Sequence, residues 1–379
     1  MTDLAGRARV TLGEMEQITR SANIPTLLMV IYQVTGDPRW LQPPYRPTRS
    51  RGLSDHDTGG LPEDIQHEIQ LAAARCFYAL QEGQPPAIPV PTPEQTSAML
   101  SACVGEDVHE SYGVMFSQEF RRRIRPVEPA APLRAGVPRD FRALVIGAGV
   151  SGIIAAQRLR LMGVPYLMVD KHDAPGGNWR DNRYPGAGVD TPSHLYSFSF
   201  APNDWERHFE MRPELEDYFA RTHDLIGALP HTRFGTEVVR AEYDEQRAIW
   251  HAELRGPDGT RESQSFKVII SAVGVLNRAK LPRLPGMDGF PGPSFHSSYW
   301  PSGLDVSGRR VAVIGSGASA MQIVPAIADQ VKQLTVFQRT PPWVAPFEKF
   351  QKPIDPYARY LLHTYPLYRA WYFLKLYWQ

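Results

Sequence analysis

Apolar and polar positions change rhythm along the chain, and each change marks a different kind of element. From Leu61 to Glu82 the residues Ile65, Ile69, Ala72, Cys76 and Leu80 recur at intervals of three and four, which predicts a helix with one apolar face. Leu27 to Val34 is a denser apolar run that contains Gln33. It falls far short of the roughly 20 residues that cross a bilayer, so a buried helix is expected there. Proline clusters separate such stretches: Pro43, Pro44 and Pro47, then Pro85, Pro86, Pro89, Pro91 and Pro93. Residues 1–138 are therefore expected to form a small all-α domain without a catalytic pattern, one that could serve as the interface of a homodimer.

After the basic run Arg121 to Arg123 a second proline-rich stretch, with Pro126, Pro129, Pro132 and Pro138, marks a domain boundary. From Arg142 short β-branched strands alternate with amphipathic helices, as in a doubly wound α/β fold. Between about 234 and 270 the pattern turns antiparallel, with Trp250, Ala252 and Leu254 alternating before a turn at Pro257, Asp258 and Gly259. Phe266 to Gly274 then reads as a buried strand that ends in glycine.

The chemistry starts where strands end. The apolar strand Ala143 to Ile146 runs directly into Gly147, Ala148, Gly149, Val150, Ser151 and Gly152, a G-x-G-x-x-G fingerprint. Its first glycine permits a tight turn, its second admits a pyrophosphate to the backbone, and its third lets the helix pack closely. The next strand ends at Asp170, 23 residues after Gly147, where an acid can accept from ribose hydroxyls. That acid repels a 2′-phosphate, so the site suits FAD or NAD. The pattern recurs at Gly315, Ser316, Gly317, Ala318, Ser319 and Ala320, but Gln338 stands where the acid would be and Arg339 follows it. A guanidinium binds a 2′-phosphate by charge-assisted hydrogen bonds, so this second site suits NADPH. Pro325 should kink the helix behind it or remove one of its bonds.

Charge and cysteine content narrow the partners. With 41 basic and 40 acidic residues the net charge is +1, so no overall field favours nucleic acid or an anionic membrane. Cys76 and Cys103 are too far apart for a dithiol motif, and the histidines lack zinc-site spacing, so neither a disulfide framework nor a metal is expected. The N-terminus lacks a secretory pattern, and a cytoplasmic location is expected.

Between the two glycine turns, FPGPSFHSSYWP supplies Phe290, Gly292, His296, Trp300 and Pro301. Its spacing resembles the F-x-G-x-x-x-H-x-x-x-W-P fingerprint of Baeyer–Villiger flavin monooxygenases. GGNWRDNRYPGAGVD, with Gly176, Gly177, Trp179, Tyr184, Pro185, Gly186 and Asp190, is similar to a second pattern of that family. The resemblance covers about residues 140–350, and the helical extension is similar to the 4-hydroxyacetophenone monooxygenase branch. It implies an α/β fold of two Rossmann-like dinucleotide-binding domains, for FAD and NADPH, behind the helical domain. It also implies insertion of an oxygen atom from O2 next to a ketone carbonyl through a flavin peroxide, giving an ester or lactone. FAD would be held by Gly147, Gly149, Gly152, Asp170, Lys171, Gly177 and Trp179, and NADPH by Gly315, Gly317, Ser319 and Arg339. Asp190 would lie near the flavin and orient a catalytic arginine. His296 and Trp300 would couple the domains, although His296 also reads as an ordinary packing residue and Asp190 as a turn cap.

On the same resemblance the FAD domain would span 139–300 and the NADPH domain 301–379, both incomplete, with closing segments and the arginine beyond Gln379. The aromatic stretch Tyr365 to Gln379 would then leave large apolar side chains without a core. Two rival readings stand beside this one. An N- or S-oxygenating flavin monooxygenase would lack the Trp-Pro ending, and a non-catalytic cofactor-binding or dimerisation protein would show no turnover.

Overall fold

The computed structural model describes residues 9–49, 56–124, 137–138 and 140–378. The proline-rich boundary at Pro126, Pro129 and Pro132, and the residue 139 where the second domain was expected to begin, lie outside the described residues. In chain order the elements begin with α1 (Leu12–Thr19), α2 (Ile24–Thr35), α3 (Glu63–Gln81), α4 (Pro93–Val104) and α5 (Ser111–Ile124). Then come β1 (Ala143–Ile146), α6 (Val150–Leu161), β2 (Tyr166–Val169), α7 (Asn178–Asp181) and α8 (Arg212–Leu225). β3 (Thr232–Arg233), β4 (Glu237–Asp244), β5 (Ile249–Arg255), β6 (Arg261–Phe266) and β7 (Val268–Ser271) follow. Last are β8 (Arg310–Ile314), α9 (Ala318–Ile327), β9 (Gln333–Phe337), α10 (Pro356–Thr364) and α11 (Pro366–Trp378).

The chain divides into two compact units. One holds residues 1–127, 189–210 and 344–379, and the other holds 128–188 and 211–343. Residues 344–379, expected within a nucleotide domain, thus group with the N-terminal helices.

In the helical unit α2 is buried on nearly all sides, with Leu27, Leu28, Met29, Val30 and Ile31 fully enclosed. Asn23 caps its start by accepting from Thr26 N at 3.1 Å, and Gly36 ends it in the left-handed conformation. Gln33, the polar residue inside the apolar run, accepts from Trp371 Nε1 at 2.8 Å and donates to Pro89 O at 3.2 Å. The structure therefore corrects the expectation for the aromatic C-terminal stretch. Tyr368 and Trp371 are buried, Trp371 lies against Phe120 of α5, and Tyr368 meets Phe77 of α3 edge to face. Helices far away in sequence supply the core that the stretch lacks locally. The apolar face of α3 is also rotated from its expected position. Ile69, Ala73, Cys76 and Phe77 are buried, whereas Ile65 and Ala72 are only half-buried.

In the other unit a parallel sheet runs β3-β2-β1-β7, with α6 linking β1 to β2. The antiparallel excursion is β4-β5-β6, whose Ala252, Leu254 and Phe266 pack with Leu144, Leu167 and Val169. β7 differs from its expected burial: both of its end residues are exposed, because it is an edge strand. β8 and β9 form a parallel pair joined by α9, and Ile314 and Phe337 on it are exposed. Pro325 does not end α9, which runs on to Ile327 and closes with Ala328 N donating to Val324 O at 3.1 Å. Among the described residues no helix is long and apolar enough to cross a membrane.

Candidate functional site

The first glycine turn is built by close backbone contacts. Gly147 has φ +107°, and a Cβ there would come within 2.5 Å of Ala272 O. A Cβ on Gly152 would come within 1.9 Å of Gly147 O, so only glycine lets α6 begin this close to β1. Asp170 at the end of β2 is buried, and its carboxylate accepts from Ala148 N at 2.7 Å and from His172 N at 2.9 Å. The acid is thereby tied to the glycine turn itself, with lone pairs left over for a further donor. Lys171 beside it is exposed.

The GGNW segment lies against this turn. Gly176 N donates to Ala148 O at 3.2 Å, and a Cβ on Gly177 would approach Gly149 Cα to 3.1 Å. Trp179, half-buried in α7, gives its carbonyl to Arg212 Nε at 2.9 Å. The same fifteen-residue motif continues to α9. Gly186 has φ +79°, and a Cβ there would meet Gln322 O at 2.4 Å. One end of the motif is thus seated on the first glycine turn and its middle on the helix that follows the second. Sequence spacing placed these glycines in one motif but gave no sign that it touches both βαβ units.

At the second turn Gly315 has φ +109°, Gly317 caps α9, and a Cβ on either would meet nothing within 4 Å. Ser319 is half-buried, and Arg339 is exposed just past β9. An open turn at a helix start with a cationic side chain past the neighbouring strand suits a phosphorylated dinucleotide. The residues at both turns therefore fit the groups expected of them.

The FPGPSFHSSYWP fingerprint is structural in its visible contacts. His296 Nδ1 accepts from Ser298 N at 3.1 Å and caps a single 3-10 turn. Trp300 packs on the cluster of Val306, Ile323 and Ile327 under α9, with Phe295 edge-on at 5.2 Å. Phe290 is exposed, and its ring lies 2.9 Å from where a Cβ on Gly292 would sit. Asp190 is exposed at the start of the 189–210 segment, which belongs to the helical unit, whereas the glycine turns belong to the other.

Sequence reading missed a set of charged residues around α7. Arg180 pairs with Asp173 and with Glu216, Arg212 pairs with Glu216, and His172 Nε2 lies 2.9 Å from Asp181 Oδ1 without hydrogen-bond alignment. Arg180 and Asp181 stand inside a recognised motif, but Glu216 on α8, which pairs with Arg180, becomes a neighbour only in the fold. Among the described residues no group of three or more His, Cys, Asp or Glu is arranged to hold a metal.

Residues 145–211 match the family model of the NAD(P)-binding Rossmann-like domain, and 190–350 match that of L-lysine 6-monooxygenase/L-ornithine 5-monooxygenase. An uncharacterised monooxygenase of Sinorhizobium fredii is 44% identical over 94% of this chain and 53% of its own length. A Baeyer–Villiger monooxygenase of Streptomyces coelicolor is 46% identical over 55% of this chain and 40% of its own. Cyclohexanone monooxygenase from Rhodococcus sp. Phi1, solved bound to NADP+, is similar in structure with a TM-score of 0.53 and 38% identity, over 59% of this chain and 42% of that one. The chain spans about half the length, or less, of these relatives.

Proposed function

We propose, for a chain that belongs to the Baeyer–Villiger monooxygenase family of flavoproteins, that it binds FAD at the first glycine turn and NADPH at the second, for oxygen insertion next to a ketone carbonyl. The observation that carries this reading is the difference between the two turns. At the first, Asp170 stands at the strand end beside a packed glycine turn, whereas at the second the strand end offers Gln338 and Arg339. A carboxylate favours an unphosphorylated ribose and a guanidinium favours a 2′-phosphate, so the two sites take different dinucleotides.

When bound, a flavin and a nicotinamide together supply hydride transfer and activation of O2. The residues of this chain bind and orient. Gly147, Gly149 and Gly152 bring backbone amides to the FAD pyrophosphate, and Asp170 accepts from its ribose, with Lys171, Gly177 and Trp179 around it. Gly315, Gly317 and Ser319 face the NADPH pyrophosphate, and Arg339 donates to its 2′-phosphate. Phe290, Gly292, His296 and Trp300 form the linker that couples the FAD and NADPH domains, and Trp300 packs on Ile323 and Ile327 of α9. Asp190, exposed and ionisable, is the residue proposed to act next to the flavin.

The match of 190–350 to a lysine and ornithine monooxygenase model supports a second reading, oxygenation of nitrogen. Trp300 and Pro301, together with relatives named for ketone oxidation, favour the first. The N-terminal helices through Ile124, together with residues 189–210 and 344–379, are proposed as a domain distinct from the one that carries the glycine turns. A homodimer through it is supported by Tyr112, Val114 and Met115, exposed on α5. A reducing, cytoplasmic setting is supported by Cys76 and Cys103, both free and buried.

The test is titration of the purified chain with FAD and then NADPH under anaerobic conditions, followed by product analysis with a phenyl ketone and an amine. Bleaching of bound FAD by NADPH but not NADH, and an ester from the ketone in a protein of the relatives' full length, are expected. Absence of FAD binding overturns the reading, and an N-oxygenated product without ester replaces it by the second.

A further inference from the structure

The Gly176–Gly177 turn has no side chains with which to hold its place beside the first glycine turn. α7, which follows it, is only four residues long, too short to be stable by its own hydrogen bonds. Its position must come from outside. On one side Arg180 donates to Glu216 Oε1 at 3.2 Å and also pairs with Asp173, and Glu216 in turn pairs with Arg212. Arg212 closes this chain by donating to Trp179 O at 2.9 Å, and its own N–H donates to Ala187 O at 2.9 Å. On the other side His172 faces Asp181, while the backbone of His172 is held by Asp170 and by Gly235 N at 2.7 Å.

Arg180, Arg212 and Glu216 are each only about a fifth exposed at the side chain, at 18%, 19% and 22%. Such a joined, half-buried network is worth more than isolated surface pairs. Its two arginines are matched by two acids, and both donor arms of Arg180 are already used. It therefore offers no spare charge to an anion, and its effect has to be geometric.

We propose that Arg180, Glu216 and Arg212, with His172 and Asp181 across α7, are positioning residues that fix the Gly176–Gly177 turn against Gly147–Gly149 and so set the affinity for FAD without touching it. This rests on the assignment of FAD to the first glycine turn. The contact with Asp181 raises the pKa of His172, Asp170 adds to that, and burial and Lys171 oppose it. The histidine arm therefore keeps its charge to a higher pH than an ordinary imidazole and weakens as pH rises through its titration.

The experiment is a titration of the full 379-residue chain with FAD, read by flavin fluorescence, for the unmodified protein and for Asp170→Ala, Glu216→Gln, Arg180→Met, Arg180→Lys and His172→Gln. Circular dichroism and thermal melts check each fold. Glu216→Gln and Arg180→Met are each expected to raise the FAD dissociation constant about tenfold, and the double variant scarcely more, because the contacts form one unit. If Arg180 instead bound the pyrophosphate directly, Glu216→Gln would free it and tighten binding, and that result overturns the proposal. So does a dissociation constant within twofold of the unmodified value in Glu216→Gln, or in a folded Arg180→Lys, which cannot fork to both acids, while Asp170→Ala weakens binding. If Asp170→Ala changes nothing, or the unmodified chain takes up no FAD, the assignment of the site falls and the clamp with it. Between pH 6 and 9 the unmodified affinity should decline through the His172 titration, and His172→Gln should flatten that decline. An unaltered profile removes the histidine arm.

Discussion

Tyr184 donates its hydroxyl hydrogen to Gln322 Oε1 at 3.1 Å, and Gln322 Nε2 donates onward to Gly188 O at 2.8 Å. Through this pair the YPG part of the first motif is fastened to α9. Gly186 lies in the same contact, with φ +79° and no room for a Cβ before Gln322 O. Gly186→Ala should cost about 1–3 kcal/mol, from left-handed strain plus a backbone clash that neither side can relieve cheaply. Tyr184→Phe should cost only about 1 kcal/mol. Thermal melts of the two variants check this order, and equal stability of Gly186→Ala and the unmodified protein would contradict it.

Asp170→Ala is expected to yield protein depleted in FAD. The change removes the acceptor for a ribose hydroxyl and also frees Ala148 N and His172 N, both bonded to the carboxylate. The ratio of flavin to protein absorbance after purification is the measurement. A ratio equal to that of the unmodified chain would show that the dinucleotide sites had been assigned wrongly.

Arg339→Ala should weaken NADPH about tenfold to a hundredfold and leave NADH nearly unchanged, because a charged hydrogen bond contributes about 1.5–3 kcal/mol. Arg339 is exposed just past β9, so the substitution should not disturb the fold. Nucleotide titrations check it, and parallel losses for both nucleotides would point to damage elsewhere.

Trp371→Phe keeps the aromatic bulk in the helical core but leaves buried Gln33 Oε1 without its donor. An unsatisfied buried acceptor costs about 1–3 kcal/mol, so the melting temperature should fall by several degrees. Trp371→Phe combined with Gln33→Leu removes both partners and should recover part of the loss. No recovery in the double variant would mean that packing, rather than the hydrogen bond, dominates at this position.

His223 is almost fully buried, with Nε2 2.9 Å from Thr232 Oγ1, and burial lowers its pKa below the ordinary value, against a smaller opposing effect of Asp224. The unfolded chain therefore takes up this proton at a higher pH than the folded one. Stability contributed by the neutral form is complete above about pH 6.5 and is lost as pH falls toward the lowered folded value. Denaturant melts at pH 7.5 and 5.5 should show a smaller loss on acidification in His223→Gln than in the unmodified protein, and equal losses would assign the acid sensitivity to other groups.

The sequence by itself determined the strands, the two glycine turns and the residues at the strand ends, an acid after β2 and an amide followed by an arginine after β9. Each is a local requirement: Gly147 and Gly315 need positive φ, and Asp170 and Gln338 stand at a fixed distance along the chain from them. The tertiary structure decided what no spacing encodes. It gave the aromatic run around Trp371 a core made of α2 and α5, it left β7 half-exposed as a sheet edge, and it joined Arg180 to Glu216, 36 residues away. It also grouped residues 344–379 with the first helices, because burial of apolar area follows the shape of matching faces and not the order in which they are made.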